Sequence, residues 1–313
     1  MRPLLAGLLA LVLAGCAAPR QPRIVIGSKN FTEQLLLGEL FAQQIERRTL
    51  LRVERRFYLW GTYICHQAIL AGRIDLYPEY TGTALTAILK EKPLGGPETV
   101  LATVRQQYAQ RFHLIVGPPL GFNNTFALVI RGADARRLGL RTISQAVPYA
   151  RNWRAGFGYE FMERPDGYAG LIRTYGLQFA SVRLMDLGLL YRALLAGQID
   201  LAVGNATDGL LAARDLVVLE DDRHYFPPYQ AVPIFRAAVV EEHPEVAAAI
   251  GELAGRISEA DMRRMNYAVD GEHRDAAAVV RAFLDRLEAQ PAPARSLTET
   301  QGLHKLSDSR RHP

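Results

Sequence analysis

One pattern, Leu-Ala-Gly-x-Ile-Asp-Leu, occurs twice in this chain, at 70–76 and again at 195–201. The windows around it, 69–83 and 194–209, predict the same unit: a helix ending at Gly72 or Gly197, a strand beginning at Ile74 or Ile199, then a polar, glycine-containing loop. Glycine enters the left-handed backbone that stops a helix at little cost, and a strand delivers the loop after it to one edge of its sheet. A duplicated unit of this kind predicts two similar α/β lobes whose loops face each other.

The length permits it, since 313 residues are enough for two domains with a core each. An apolar fraction of 49% and a charged fraction of 22% are those of a globular protein. The net charge of +5 is carried by scattered arginines, with no basic and aromatic stripe of the kind that tracks nucleic acid, so no nucleic-acid partner is expected.

Residues 1–16 differ in kind from the rest. Arg2 supplies a positive start, 4–13 an apolar run too short to span a bilayer, and Leu13-Ala14-Gly15-Cys16 resembles the lipobox of bacterial lipoproteins. That pattern implies a cleaved signal, Cys16 as the lipid-bearing first residue of the mature chain, and a short tether over 17–23. Cys65 is then the one remaining cysteine; with no CxxC-type spacing around it, it is expected to be a buried apolar thiol.

Along the chain, a strand over 23–27 leads through Ser28-Lys29-Asn30 into a helix over about 31–47, with Asn30 read as its cap and Glu33 reaching back in a capping box. Lys29 and the free N–H groups of that junction suit an anion. Further strands are expected over 51–59, 113–116, 127–131, 153–157, 181–185 and 199–203; 216–222 precedes the stretch 225–229, after which 231–240 extends back toward the first lobe. Helices are expected over 61–72, 83–89, 98–110, 142–148, 167–176, 187–196, 244–255, 258–266 and 275–288. His66 and His113, inside these elements, read as packed side chains; 289–313 has no periodicity and reads as a disordered tail. The chain carries no GxSxG, HExxH, P-loop or post-strand GxGxxG, so it is expected to be no enzyme, with neither cofactor nor metal. What remains is a binding cleft.

Six stretches carry a resemblance: Gly27-Ser28-Lys29-Asn30-Phe31-Thr32-Glu33-Gln34, Asp75-Leu76-Tyr77-Pro78-Glu79-Tyr80-Thr81-Gly82-Thr83, Asn123-Asn124-Thr125, Arg164-Pro165-Asp166-Gly167, Thr207-Asp208-Gly209 and Phe226-Pro227-Pro228-Tyr229. In this order and spacing the chain resembles, over about 24–287, the substrate-binding component of osmoprotectant ABC importers, which take up glycine betaine, choline, carnitine and similar quaternary amines. The resemblance implies an α/β fold of the type II periplasmic-binding-protein kind, two lobes joined by two crossing segments with a ligand cleft between them. The expected division is 24–119 with 223–288 for lobe I and 120–222 for lobe II. It also implies a small-molecule solute, a membrane permease with its ATPase as partners, a monomer, and a lipid-anchored extracytoplasmic location.

In that family a box of tyrosines holds the trimethylammonium head, because ring faces suit a soft cation that has no donors. The matching positions are Tyr80, Phe126, Asn205 and Tyr229. Phe126 keeps a ring face and Asn205 offers none; Asn124 stands where some relatives place an acid. The family's carboxylate grip matches Lys29, Thr83 and Arg164, all retained, although Arg164 could instead pair with Glu163 or Asp166, and Tyr80 and Tyr229 could be core. The expected ligand is therefore a betaine-like zwitterion rather than choline, with weak affinity for glycine betaine or a preference for a larger cation-bearing group. A different carboxylate-bearing amine or an amino-acid-like solute, a sensor or lyase on the same scaffold, and a scaffold lipoprotein without a ligand are the alternatives.

Overall fold

The computed structural model describes residues 23–92 and 95–289. Cys16, the signal and nearly all of the tether and tail lie outside the described residues. The strands run β1 (Arg23–Gly27), β2 (Arg52–Arg56), β3 (Leu76–Tyr80), β4 (Leu114–Val116), β5 (Phe126–Arg131), β6 (Arg154–Phe157), β7 (Ser181–Leu184), β8 (Leu201–Asn205), β9 (Leu216–Leu219) and β10 (Ala231–Arg236). They form two five-stranded sheets, ordered β2-β1-β3-β10-β4 and β7-β6-β8-β5-β9. In each sheet three strands are parallel, and an antiparallel strand donated from the far side of the chain, β10 or β5, separates the last one from them. The two sheets are thus one topology used twice, and each has its own buried apolar clusters.

The repeated heptapeptide accounts for much of this likeness. Gly72 and Gly197 take φ of 64° and 67° after helices Thr62–Leu70 and Leu187–Leu195. The same three N–H groups close both turns: Gly72 to Ile69, and Arg73 and Ile74 to Ala68; Gly197 to Leu194, and Gln198 and Ile199 to Ala193. The aspartate of the repeat has a role that sequence reading left unassigned. The Asp75 carboxylate accepts the Val25 N–H at 2.9 Å and the Asp200 carboxylate the Arg154 N–H at 3.0 Å, while their own N–H groups return bonds of 2.7 Å to the same two residues. An arginine at the end of the donated strand completes each copy, Arg236 on Asp75 at 3.3 Å and Arg131 on Asp200 at 3.0 Å. Nothing lies near a Cβ added at Gly197, so Gly197→Ala should expose the backbone cost alone, a loss of about 1 kcal/mol readable by urea denaturation.

Two segments, 117–125 and 220–230, cross between the sheets and pair with each other through the isolated Asn123–Gln230 bridge. The Asn124 N–H donates to the Tyr229 carbonyl at 3.0 Å and the Tyr229 N–H to Asn123 Oδ1 at 2.6 Å. The C-terminal helices Pro244–Gly251, Glu259–Asp270 and Ala276–Ala289 lie against helix Thr32–Arg48, burying Val246, Ile250, Met262, Val280 and Phe283 in one cluster with Leu36, Leu40 and Phe41.

Several local expectations change. Helix Thr32–Arg48 has Phe31, not Asn30, as its N-cap, with no side-chain cap, and Glu33 turns inward instead of back. The predicted helix over 83–89 is a short turn, Thr81–Thr83, followed by the wider π-helix Ala84–Ile88. Helix Gly132–Leu138 had no clear signal in its Arg-rich sequence. His113 is exposed, at φ 55°, because it caps helix Pro97–Phe112 in the left-handed conformation rather than beginning a strand. His66 does pack, edge-on to Tyr108 and Phe112, and Cys65 is fully buried, with its thiol pushed up to about 12 by that burial.

Candidate functional site

Between the sheets lies a cleft whose space, counted out to its mouth, is about 930 Å³. All eight residues expected at a ligand site line it: Lys29, Tyr80, Thr83, Asn124, Phe126, Arg164, Asn205 and Tyr229. The two copies of the repeat supply facing walls, for β3 ends in Tyr80 and β8 ends in Asn205. Trp60, Glu160 and Phe161 also line it, and sequence reading missed them. Their one signal was position, since each stands in or beside a loop that leaves a strand.

The rings line the cleft in two groups. Tyr80 stacks on Phe31 with centroids 6.5 Å apart, and Phe126 meets Tyr229 at 5.6 Å and Phe161 at 4.8 Å, both edge-on. Tyr80 and Tyr229 are also part of the apolar core, at 4% and 2% exposure, so each serves as packing and as cleft wall. Asn205 adds no ring; its N–H donates to the Asp208 carboxylate at 2.8 Å.

The cations of the site already have partners within the protein. Lys29, at 2% exposure, is hydrogen bonded to Glu79 of β3, and its ammonium sits 5.2 Å over the Tyr80 ring. Burial raises Glu79 and the Lys29 charge opposes that rise. Arg164 is held by Asp166 through Nε at 2.9 Å and Nη2 at 2.5 Å, and its Nη1 donates to Thr83 Oγ1 at 3.1 Å. Of the two carboxylates open to Arg164 in the sequence, Asp166 is the partner. Burial pushes Asp166 up, but Arg164 and the Tyr229 hydroxyl, which donates to it at 2.6 Å, hold it below its ordinary value. The guanidinium also lies 5.1 Å from the centre of the Phe126 ring.

Behind Tyr80 stands Glu33, the residue expected to close a capping box. Its carboxyl accepts from the Tyr80 hydroxyl at 2.6 Å, Asn124 Nδ2 at 2.8 Å, Asn266 Nδ2 at 3.2 Å and the Thr207 hydroxyl. Burial is the largest influence and carries the group up to about 7 against the Thr207, Tyr80 and Asn266 donors. Asn124 is neutral where an acid was considered, yet it is bonded to an acid one layer deeper. Thr207 belongs to the loop after β8 and Asn266 to helix Glu259–Asp270, so Glu33 joins both lobes to the wall of the cleft.

At the mouth the backbone is strained. Tyr58 and Trp60 take φ of 65° and 96°, a region that costs a residue with a side chain about 1–3 kcal/mol. Three bonds to the loop after β1 hold them there: Tyr58 N–H to Ser28 Oγ at 3.1 Å, Leu59 N–H to the Ser28 carbonyl at 2.9 Å, and Asn30 N–H to the Trp60 carbonyl at 2.9 Å. The result places the Trp60 indole, 59% exposed, on the rim of the cleft.

Comparison with known proteins agrees with this architecture. Residues 22–286 match the family model described as the substrate-binding domain of ABC-type glycine betaine transport systems. The carnitine transport binding protein OpuCC of Listeria monocytogenes is 34% identical over 284 residues, covering 88% of this chain and 92% of that one. The ergothioneine transport permease/ergothioneine binding protein EgtU of Helicobacter pylori is 33% identical over 279 residues, covering 89% of this chain and half of that longer protein. A crystal structure of a glycine betaine/carnitine/choline ABC transporter protein superposes with a TM-score of 0.71 at 32% identity, covering 85% of this chain and 98% of that one. The chain therefore belongs to the family of substrate-binding domains of ABC-type glycine betaine transport systems and has their type II periplasmic-binding-protein fold.

Proposed function

We propose that this protein is the extracytoplasmic solute receptor of an ABC importer, and that it captures a betaine-type zwitterion and delivers it to a permease. One observation carries the reading: the rings of Tyr80, Phe126 and Tyr229 share a single cleft with the donors Lys29, Thr83 and Arg164. Ring faces attract a quaternary ammonium, and a guanidinium with a free edge attracts a carboxylate. The protein binds and releases its ligand unchanged and performs no chemical step. Lobe I would comprise 24–119 and 223–288, lobe II 120–222, each moving as a body about the paired crossing segments. No helix among the described residues is long and apolar enough to cross a membrane, so attachment would rest on lipid at Cys16. The protein would act as a monomer.

Isothermal titration calorimetry with glycine betaine, carnitine, ergothioneine, choline and simple amino acids tests the ligand class. Binding is expected for the betaines, with the larger ones preferred because Asn205 leaves one wall of the cage without a ring. Removing one ring face, Phe126→Ala, should weaken a betaine by roughly 2- to 30-fold, the equivalent of about 0.5–2 kcal/mol. Choline bound more tightly than every carboxylated amine would overturn the reading.

A further inference from the structure

The charge nearest the free edge of Arg164 is a carboxylate of the protein itself. Asp166 takes Nε and one proton of Nη2 of the guanidinium and Thr83 takes one proton of Nη1, which leaves one proton on each terminal nitrogen for a ligand. Glu160 Oε1 stands 3.7 Å from Nη1. Both oxygens of Glu160 also lie 3.3 Å from the Thr62 N–H, the first free donor of helix Thr62–Leu70 across the cleft. Glycine at 61 permits the approach, because a Cβ there would come within 2.4 Å of Glu160 Oε2.

Resting on the betaine reading above, we propose that Glu160 is a resident stand-in for the ligand's carboxylate. It spans the two lobes between Arg164, one of the donors that a betaine would use, and the Thr62 N–H, and it gives up Arg164 when the ligand arrives. The distances favour displacement, since charge-assisted N–H···O bonds settle near 2.7–2.9 Å, whereas Glu160 stands 3.3 Å from the Thr62 nitrogen and pairs with Arg164 only at 3.7 Å. Its side chain is 31% exposed, so it can swing out to water. Glu160 thereby sets selectivity: a carboxylated ligand must expel a like charge, whereas an amine without an anion need not.

Two variants test this by different means. Glu160→Gln removes the charge, and Gly61→Ala keeps every charge but crowds the carboxylate off the Thr62 N–H; Gly61 has an ordinary φ of −93°, so alanine adds no backbone strain. In calorimetry both should bind carnitine roughly two- to fivefold more tightly than the parent, the range set by a charge at a helix terminus, with no gain for choline. In small-angle scattering without added solute, both should show a larger radius of gyration as the lobes part. Equal gains for choline and carnitine, or a loss for carnitine, would overturn the proposal. Should neither parent nor variants bind any quaternary amine, the ligand reading falls, and an unchanged radius of gyration would then also overturn the cross-cleft contact.

Discussion

Arg164→Ala should lose stability and ligand together, and the two losses should be separable. The side chain is 5% exposed and shares two hydrogen bonds with Asp166, itself 5% exposed. Removing it strands a carboxylate in the interior, a change that costs about 3–5 kcal/mol in buried pairs, because the surviving charge has lost its counterion but not its burial. The buried pair argues against an intact fold in this variant. Arg164→Met combined with Asp166→Asn removes both charges while leaving an oxygen for the Tyr229 hydroxyl, and it should recover most of the stability. Affinity for carnitine should stay at least about 30-fold down in both, since a truncated charged hydrogen bond costs about 2 kcal/mol or more. Urea denaturation and calorimetry on the two proteins decide it. A single variant as stable as the parent would refute the buried pair, and a double variant of parental affinity would remove Arg164 from the site.

The second large effect is a pH dependence that Glu33→Gln should flatten. Burial carries Glu33 from 4.5 to about 7, so the folded protein keeps it neutral at pH values where the unfolded chain ionises it. Stabilisation tied to the neutral form is complete below about pH 4.5 and is lost as pH rises through about 7, a fall of roughly 3 kcal/mol for a shift of this size. Asp208, raised by burial to about 6, adds a smaller fall of the same sign between about pH 4 and 6, and it also faces Glu33 as a repelling charge. Denaturation midpoints at pH 4.5, 6 and 7.5 should therefore decline in the parent and decline less in the variant. A parent–variant difference that stays constant with pH would refute the assignment. Glu33 also orients the Tyr80 hydroxyl and Asn124, so Glu33→Ala should weaken ligand binding without touching the ligand.

What could be read without coordinates was whatever neighbouring residues decide among themselves. Gly72 and Gly197 end their helices because only a residue without Cβ sits easily at φ near 65°, and that is a property of the peptide unit wherever it occurs. Ser258 caps helix Glu259–Asp270 through Asp261, three residues on, for the same local reason. The apparent box at Asn30 and Glu33 had the same spacing and failed, because Glu33 has four donors inside the protein that no local rule reveals.

The eight cleft residues were legible through ordered motifs that match a family, but their partners were not. Lys29 finds Glu79 fifty residues away, and Arg164 chooses Asp166 over its immediate neighbour Glu163, because only Asp166 is also met by Tyr229 from a crossing segment. Trp60 and Glu160 carried no periodic or motif signal at all.

The sequence by itself determined two like lobes and their glycine-ended helices, consequences of backbone preference, and its family motifs marked the side chains that line the cleft. Tertiary structure alone decided the electrostatics. Whether Lys29 is free or already paired, and whether Glu33 is a cap or a buried acid, depends on groups brought within 3 Å from positions far apart in sequence, and in a low-dielectric interior those few ångströms set the charge that a ligand meets.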